Sequence, residues 1–166
     1  MTHGKPLLQP AAPADRREPT AQPAVATENF PWLDFLEIDN GAIDRDHREA
    51  VAEGNRLSEL LKHRNSWPDV VAMLRQARAR CARHFATEDR ILAQTRFPEH
   101  EQHRSAHARI LAEFDRILAE LEAVREPEER HWQRAHAPRD LLVDHCLKDD
   151  LRFKSHVMQM SARHGW

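Results

Sequence analysis

Residues 67–91 read WPDVVAMLRQARARCARHFATEDRI. Val70, Leu74, Ala77, Cys81, His84, Glu88 and Ile91 recur in an alternating four-three-four-three step. That step lines up seven side chains as one stripe of an α-helix, the seam by which a helix joins a bundle. Pro68 suits the opening turn, where a missing backbone N–H leaves no hydrogen bond unmade. The stripe is not purely apolar. It carries an imidazole and a carboxylate, His84 and Glu88, four residues apart and therefore stacked on one face.

Three further helical patterns accompany this one. The first runs from about Asp44 to Lys62, with His47, Val51, Gly54, Leu57 and Leu61 facing inward. Another opens after Phe97-Pro98 and carries His103, His107, Ile110, Phe114, Leu118 and Leu121. The last starts around Pro138 and carries Leu142, His145, Asp150, Phe153, Val157 and Met160. Residues 127–137, bracketed by Pro127 and Pro138, predict a separate short helix. Short connections make neighbours antiparallel, so the expected fold is all-α, an up-down-up-down antiparallel four-helix bundle. Phe30, Trp32, Phe35 and Leu36 form an apolar cluster ahead of the first helix and predict an N-terminal arm packed along it. Residues 1–28, with five of the ten prolines among Ala, Gln and Thr, predict a disordered tail. Residues 29–166 are then a single domain.

Composition narrows the function. With 31% charged residues, no tyrosine and only four glycines, the chain favours helix over sheet. Twenty-five basic against 27 acidic residues leave no basic surplus for nucleic acid. No run approaches the ~20 apolar residues of a membrane span, and the start has no signal-like apolar stretch. The expectation is a cytoplasmic monomer with no nucleic-acid or membrane partner, in which the tail is the place for any protein partner. Cys81 and Cys146 make neither a disulfide framework nor a CxxC pair, and read as buried side chains in a reducing compartment.

The twelve histidines are the compositional outlier. His47, His84, Glu88, His103, His107, His145 and Asp150 replace core residues in the seams instead of decorating polar faces. A buried polar group without a partner costs roughly 1–3 kcal/mol. Five imidazoles and two carboxylates in one core therefore need a metal or one another. Imidazole with carboxylate suits iron, zinc, copper or nickel. Seven ligands are too many for one ion but fit two ions that share both carboxylates, with the imidazoles divided three and two. If both ions favour six ligands and share an oxygen bridge, the two-histidine ion is one ligand short, which is where a small molecule would bind. His103 keeps the four-residue step to His107, so His100 reads as a solvent-facing neighbour. His3, His63, His131, His136, His156 and His164 have no seam partner and read as surface residues. Glu128-Glu-Arg-His131, the one literal ExxH match, falls beside Pro127 and away from the seams.

In this ordered series the sequence resembles the hemerythrin family, in its bacterial single-domain form. The matching segments are Ile43-Asp-Arg-Asp-His47, His84-Phe-Ala-Thr-Glu-Asp89, Phe97-Pro98, His103-xxx-His107 and His145-xxxx-Asp150. The resemblance implies a non-haem di-iron centre, two Fe ions per chain with an oxo or hydroxo bridge, that binds O2 reversibly. It assigns His103, His107 and His145 to one iron and His47 and His84 to the other, with Glu88 and Asp150 bridging. Leu142, one turn before His145, is then expected to wall the O2 pocket without coordinating. The chain departs from the family pattern at Leu141, Cys146 and Phe153, where Trp, Ile and Tyr are frequent. An oxygen carrier, storage or delivery protein is thus expected, not an enzyme. The alternatives are a di-iron oxidase, peroxidase or NO-handling enzyme, or an O2 sensor acting through a partner. Di-iron enzymes of this architecture use paired ExxH motifs with two further Glu, a set this chain lacks.

Overall fold

The computed structural model describes residues 1, 30–38, 41–64 and 66–164, with backbone alone for Phe35, Ser161, Arg163 and His164. Apart from Met1, the expected tail lies outside the described residues, as does His3. No strand occurs among the described residues, and their all-helical structure is consistent with a helical bundle. They are α1 (Ala42–His63), α2 (Trp67–Gln94), α3 (His100–Glu122), the short α4 (Glu129–Arg134), α5 (Ala137–His145) and α6 (Leu151–His164). None of them is long and apolar enough to cross a membrane.

Local chemistry sets the helix boundaries. Arg64 ends α1 in a left-handed conformation (φ 51°), its N–H donating to the Leu60 carbonyl. Ser66 caps α2, accepting from the Asp69 N–H at 3.3 Å, with Pro68 in the first turn. The Phe97-Pro98 turn separates α2 from α3. The ExxH match proves to be a cap. The Glu128 N–H donates to His131 Nδ1 at 2.9 Å, while the Glu128 side chain accepts from the His131 N–H, closing the start of α4.

Two apolar clusters hold the helices together. One gathers Leu57, Leu61, Val70, Leu74, Phe114, Ile117 and Leu121 with Trp67 and Trp132. The other gathers Ile38, Ile43, Leu92, Phe153 and Val157. A fully buried side chain of this kind contributes about 1.5–3 kcal/mol over its exposed state. The order along each helix places the site. On α1, Ile43 precedes His47 and Leu57 follows it; on α2, Leu74 precedes His84 and Glu88, and Leu92 follows. The polar seam residues thus fall between the two apolar clusters. Residues 30–38 are tied to α1 by the Phe30 N–H to Asn55 Oδ1 (2.8 Å), the Asn55 amide to the Phe30 carbonyl (3.0 Å), and the Ile38 N–H to Asp44 Oδ1 (2.7 Å).

The fourth pattern is not one α-helix. Between α5 and α6 the chain makes a π-helical turn, Cys146–Asp150. In an α-helix a five-residue step leaves Asp150 about 140° around the axis from His145. A π turn, with its i→i+5 hydrogen bonding, brings the two back to one face.

Four histidines expected at the surface are half-buried: His100, His131, His136 and His156. His156 Nε2 donates to the Thr95 carbonyl at 2.9 Å, beside Phe97, and so ties α6 to the end of α2. His131 is drawn inward by its capping role and by Trp67. Burial lowers the pKa of His136. His100 is partly covered in the first turn of α3, next to the Phe97-Pro98 turn. Only His63 is exposed as expected, and the His164 side chain is outside the description.

Candidate metal centre

All seven seam residues are buried and converge, with Glu88 and Asp150 both 0% exposed. They arrive by three local devices. His84 and Glu88 are one α-helical turn apart on α2, as are His103 and His107 on α3. His47 comes singly from α1, and the π turn delivers His145 and Asp150 together. Their ligand atoms form two groups, each compact enough to hold one ion. Glu88, His103, His107, His145 and Asp150 make the first; His47, His84, Glu88 and Asp150 make the second. His100 belongs to neither.

The carboxylates divide their oxygens between the groups. Glu88 Oε2 lies 3.1 Å from His107 Nε2 and 3.5 Å from His103 Nε2. Its other oxygen, Oε1, faces His84 Nε2 at 3.3 Å and His47 Nε2 at 3.6 Å. Asp150 does likewise. Oδ1 is 3.0 Å from His145 Nε2 and 3.6 Å from His103 Nε2, whereas Oδ2 is 3.3 Å from His47 Nε2. One oxygen toward each group is the arrangement that a bridging carboxylate requires.

These short contacts do not all count as hydrogen bonds. Glu88 Oε1, His107 Nε2, His145 Nε2 and both Asp150 carboxylate oxygens are buried with no hydrogen-bond partner among the described residues. Their lone pairs converge without being aligned on a shared proton. Left so, each would cost roughly 1–3 kcal/mol. A pair of cations accepting those lone pairs removes the cost, and the donor set, five imidazoles with two carboxylates, suits borderline transition metals. The residues present fit a two-metal centre.

Electrostatics agrees. Burial opposes ionisation of Glu88, but the charge of His84 and contacts from His103, His107 and His47 hold its carboxyl well below the usual range. Burial and the neighbouring Glu88 charge oppose ionisation of Asp150, yet contacts with His145 and His47 bring it down to about 2. Burial likewise disfavours protonated His145, and Asp150 outweighs it, raising the pKa to about 9. His47 is raised well above the ordinary histidine value, burial again being outweighed by contacts with Asp150, Cys146 and Glu88. The cluster thus sets ionised Glu88 and Asp150 beside His47 and His145 that favour protonation, and metal ions would take the place of those protons.

Three further carboxylates stand behind the imidazoles, unnoticed at the level of motif. His107 Nδ1 is 3.0 Å from Asp89 Oδ1 and His145 Nδ1 is 3.0 Å from Asp149 Oδ2. Asp46 faces His84 Nδ1 at a looser 3.6 Å. An Nδ1–H donating outward fixes the tautomer that turns the Nε2 lone pair inward. Asp46, Asp89 and Asp149 each adjoin a motif residue or lie one turn from it, so their helical spacing was the available signal. Aromatic rings wall the three-histidine side. Phe85 stacks on His107 (3.8 Å, 8°), and Phe153 meets His103 edge-on at 5.1 Å. Leu142 lines an apolar chamber together with His47, His84 and His145. Cys81 and Cys146 are free thiols on the same chamber. Burial pushes them up to about 12 and about 11, so they remain protonated and offer no thiolate.

No curated protein matches the chain closely enough to be informative. Residues 40–157 match the family described as hemerythrin HHE cation binding domain, a span that takes in all seven converging residues and every residue named in the two apolar clusters except Ile38. On that match, which covers well over half of its length, the chain belongs to the hemerythrin HHE cation-binding domain family.

Proposed function

We propose that this protein is a non-haem di-iron protein that binds O2 reversibly. The observation that carries the reading is the division of oxygens. Glu88 and Asp150 each turn one oxygen to the three-histidine group and one to the two-histidine group. In this reading His103, His107 and His145 hold one iron, His47 and His84 hold the other, and both carboxylates bridge. When bound, the two ferrous ions supply the two electrons that dioxygen takes up. The protein's part is to leave one side open and dry. The two-histidine group has one imidazole fewer, and it borders the apolar chamber walled by Leu142. Apolar walls exclude the water and protons that would displace bound oxygen. The reversed order of clusters and site on α1 and α2, with short connections, supports an up-down-up-down bundle. Residues 30–38 serve as its arm, and we take the protein to act as a cytoplasmic monomer.

A specific observation favours a second reading, an oxidase, peroxidase or NO-handling enzyme. Asp89 and Asp149 add negative charge behind two of the imidazoles, which stabilises the ferric state and works against reversibility.

One experiment tests both. Protein produced with iron is analysed for metal, reduced, and followed by visible absorption as O2 is admitted and then removed. About two Fe per chain, no haem and a charge-transfer band that vanishes with O2 are the expected result. One zinc per chain with no iron uptake would overturn the metal assignment. Two irons with irreversible oxidation would transfer the protein to the second reading.

A further inference from the structure

The chamber beside the two-histidine group has a volume of about 100 Å³. It is separate from most of the ligand cluster. His47, His84 and His145 border it, whereas Glu88, His103, His107 and Asp150 do not. Its walls come from every major helix up to α5: Val51 on α1, Leu74 and Ala77 on α2, Phe114 on α3 and Leu142 on α5. The segment before α1 adds Phe30, Trp32, Leu36 and Ile38.

Size and polarity select the occupant. Apolar cavities of about 150 Å³ stay dry and take up benzene or xenon, whereas one water needs only about 10–15 Å³ on the same kind of measure. A diatomic gas leaves most of this chamber unfilled. The charged groups at its border are already engaged: Glu53 with Arg80 at 3.0 Å, Asp46 facing His84, and Arg139 in contacts of its own. The rest of the wall is almost wholly apolar, so a charged guest would lose its hydration there for little return. Met73, Cys81 and Cys146 add three polarisable sulfur atoms to the wall, which favour contact with an aromatic or unsaturated molecule.

We propose that this chamber is a second binding site, for a small uncharged apolar organic molecule of benzene size or less, held beside the metal centre. Such a guest lies between the segment 30–38 and His47 and His84. It is thereby placed next to whatever binds on the two-histidine side. The site itself stands on the cavity; only its relation to oxygen rests on the di-iron reading.

The test uses the full iron-loaded chain and fluorobenzene, followed by fluorine NMR with benzene as competitor, and iron is measured on the same samples. Saturable binding displaced by benzene is expected. Filling the chamber by Ala77→Leu should weaken it at least ten-fold, and Ala50→Leu on the opposing helix does the same should the first variant fail to fold. Ile117→Val, buried but away from the chamber, should leave binding unchanged. No saturable binding, or equal binding by the parent and a folded filling variant, would overturn the proposal. Fluorobenzene bound by a chain that takes up no iron would sustain the chamber and sink the metal reading, and iron without fluorobenzene would do the converse.

Discussion

Asp149 shows how much one side chain outside the ligand set contributes. It is about one-third exposed, yet one of its oxygens accepts from His145 Nδ1 at 3.0 Å. The imidazole cannot then rotate or swap tautomers without losing a charge-assisted hydrogen bond. Removal of such a partner typically costs 10–100-fold in metal affinity. Asp149→Ala should therefore weaken iron retention by about 10–100-fold, read by competition with a chelator of known affinity. Asp149→Asn should fall between, because its carbonyl still accepts the Nδ1–H without the charge. Asp144→Ala, which removes an exposed carboxylate paired with Lys148, is the control. Retention in Asp149→Ala equal to that control would reduce Asp149 to an ordinary surface residue. Asp89 on His107 invites the same comparison.

At the scale of the element, the π turn Cys146–Asp150 is the least regular piece of backbone near the site. Its i→i+5 geometry is rarer and less favourable than the α-helical turns on either side. What holds it is that its two ends, His145 and Asp150, face the same point. Iron bound there ties both ends and offsets the strain. Amide hydrogen exchange should accordingly show the largest iron-dependent protection over residues 146–151, exceeding that in the middle of α2. Equal protection across all helices on adding iron would show that the turn is stable without metal and only accommodates it. Residues 70–91 of α2 are the contrast. There a regular seam carries His84 and Glu88 in ordinary helical steps, so little strain is available for a metal to relieve.

For the molecule as a whole, the metal-free chain must hold a nest of charges between two apolar clusters. The raised pKa of His145, about 9, and that of His47 stabilise the fold fully below the ordinary histidine value of 6.5. That contribution is lost as pH climbs through 9. The lowered pKa values of Asp150, about 2, and of Glu88 act in the opposite sense. They stabilise above the ordinary carboxylate values of 3.8 and 4.5, and their contribution disappears as pH falls. The chelated protein should melt highest between about pH 4.5 and 6.5 and lower on both sides. Circular-dichroism melts across that range, with and without iron, check this. The iron-loaded protein should not lose stability between pH 6.5 and 9, since metal then stands where the imidazolium protons of His47 and His145 stood. A chelated chain with a flat profile would mean that the charges are not coupled as their distances indicate.

What could be read without the structure was whatever repeats within one helix. The stripe from Val70 to Ile91, the step from His84 to Glu88 and that from His103 to His107 follow from 3.6 residues per turn, so an all-helical chain and seven inward polar residues were legible at once. The five-residue step from His145 to Asp150 was visible as a spacing, but its meaning was not. Only packing against α1, α2 and α3 makes a π turn worth its cost. The same holds for the half-buried His156 and His131, which look like surface residues until Thr95 and Trp67 arrive from other elements. Which oxygen of Glu88 faces which histidine, the outer carboxylates Asp46, Asp89 and Asp149, and the chamber beside His47 depend on the registers between helices. Those registers are decided by how the apolar clusters around Phe114 and Phe153 interlock, a property of side-chain shapes meeting in three dimensions that no local periodicity encodes.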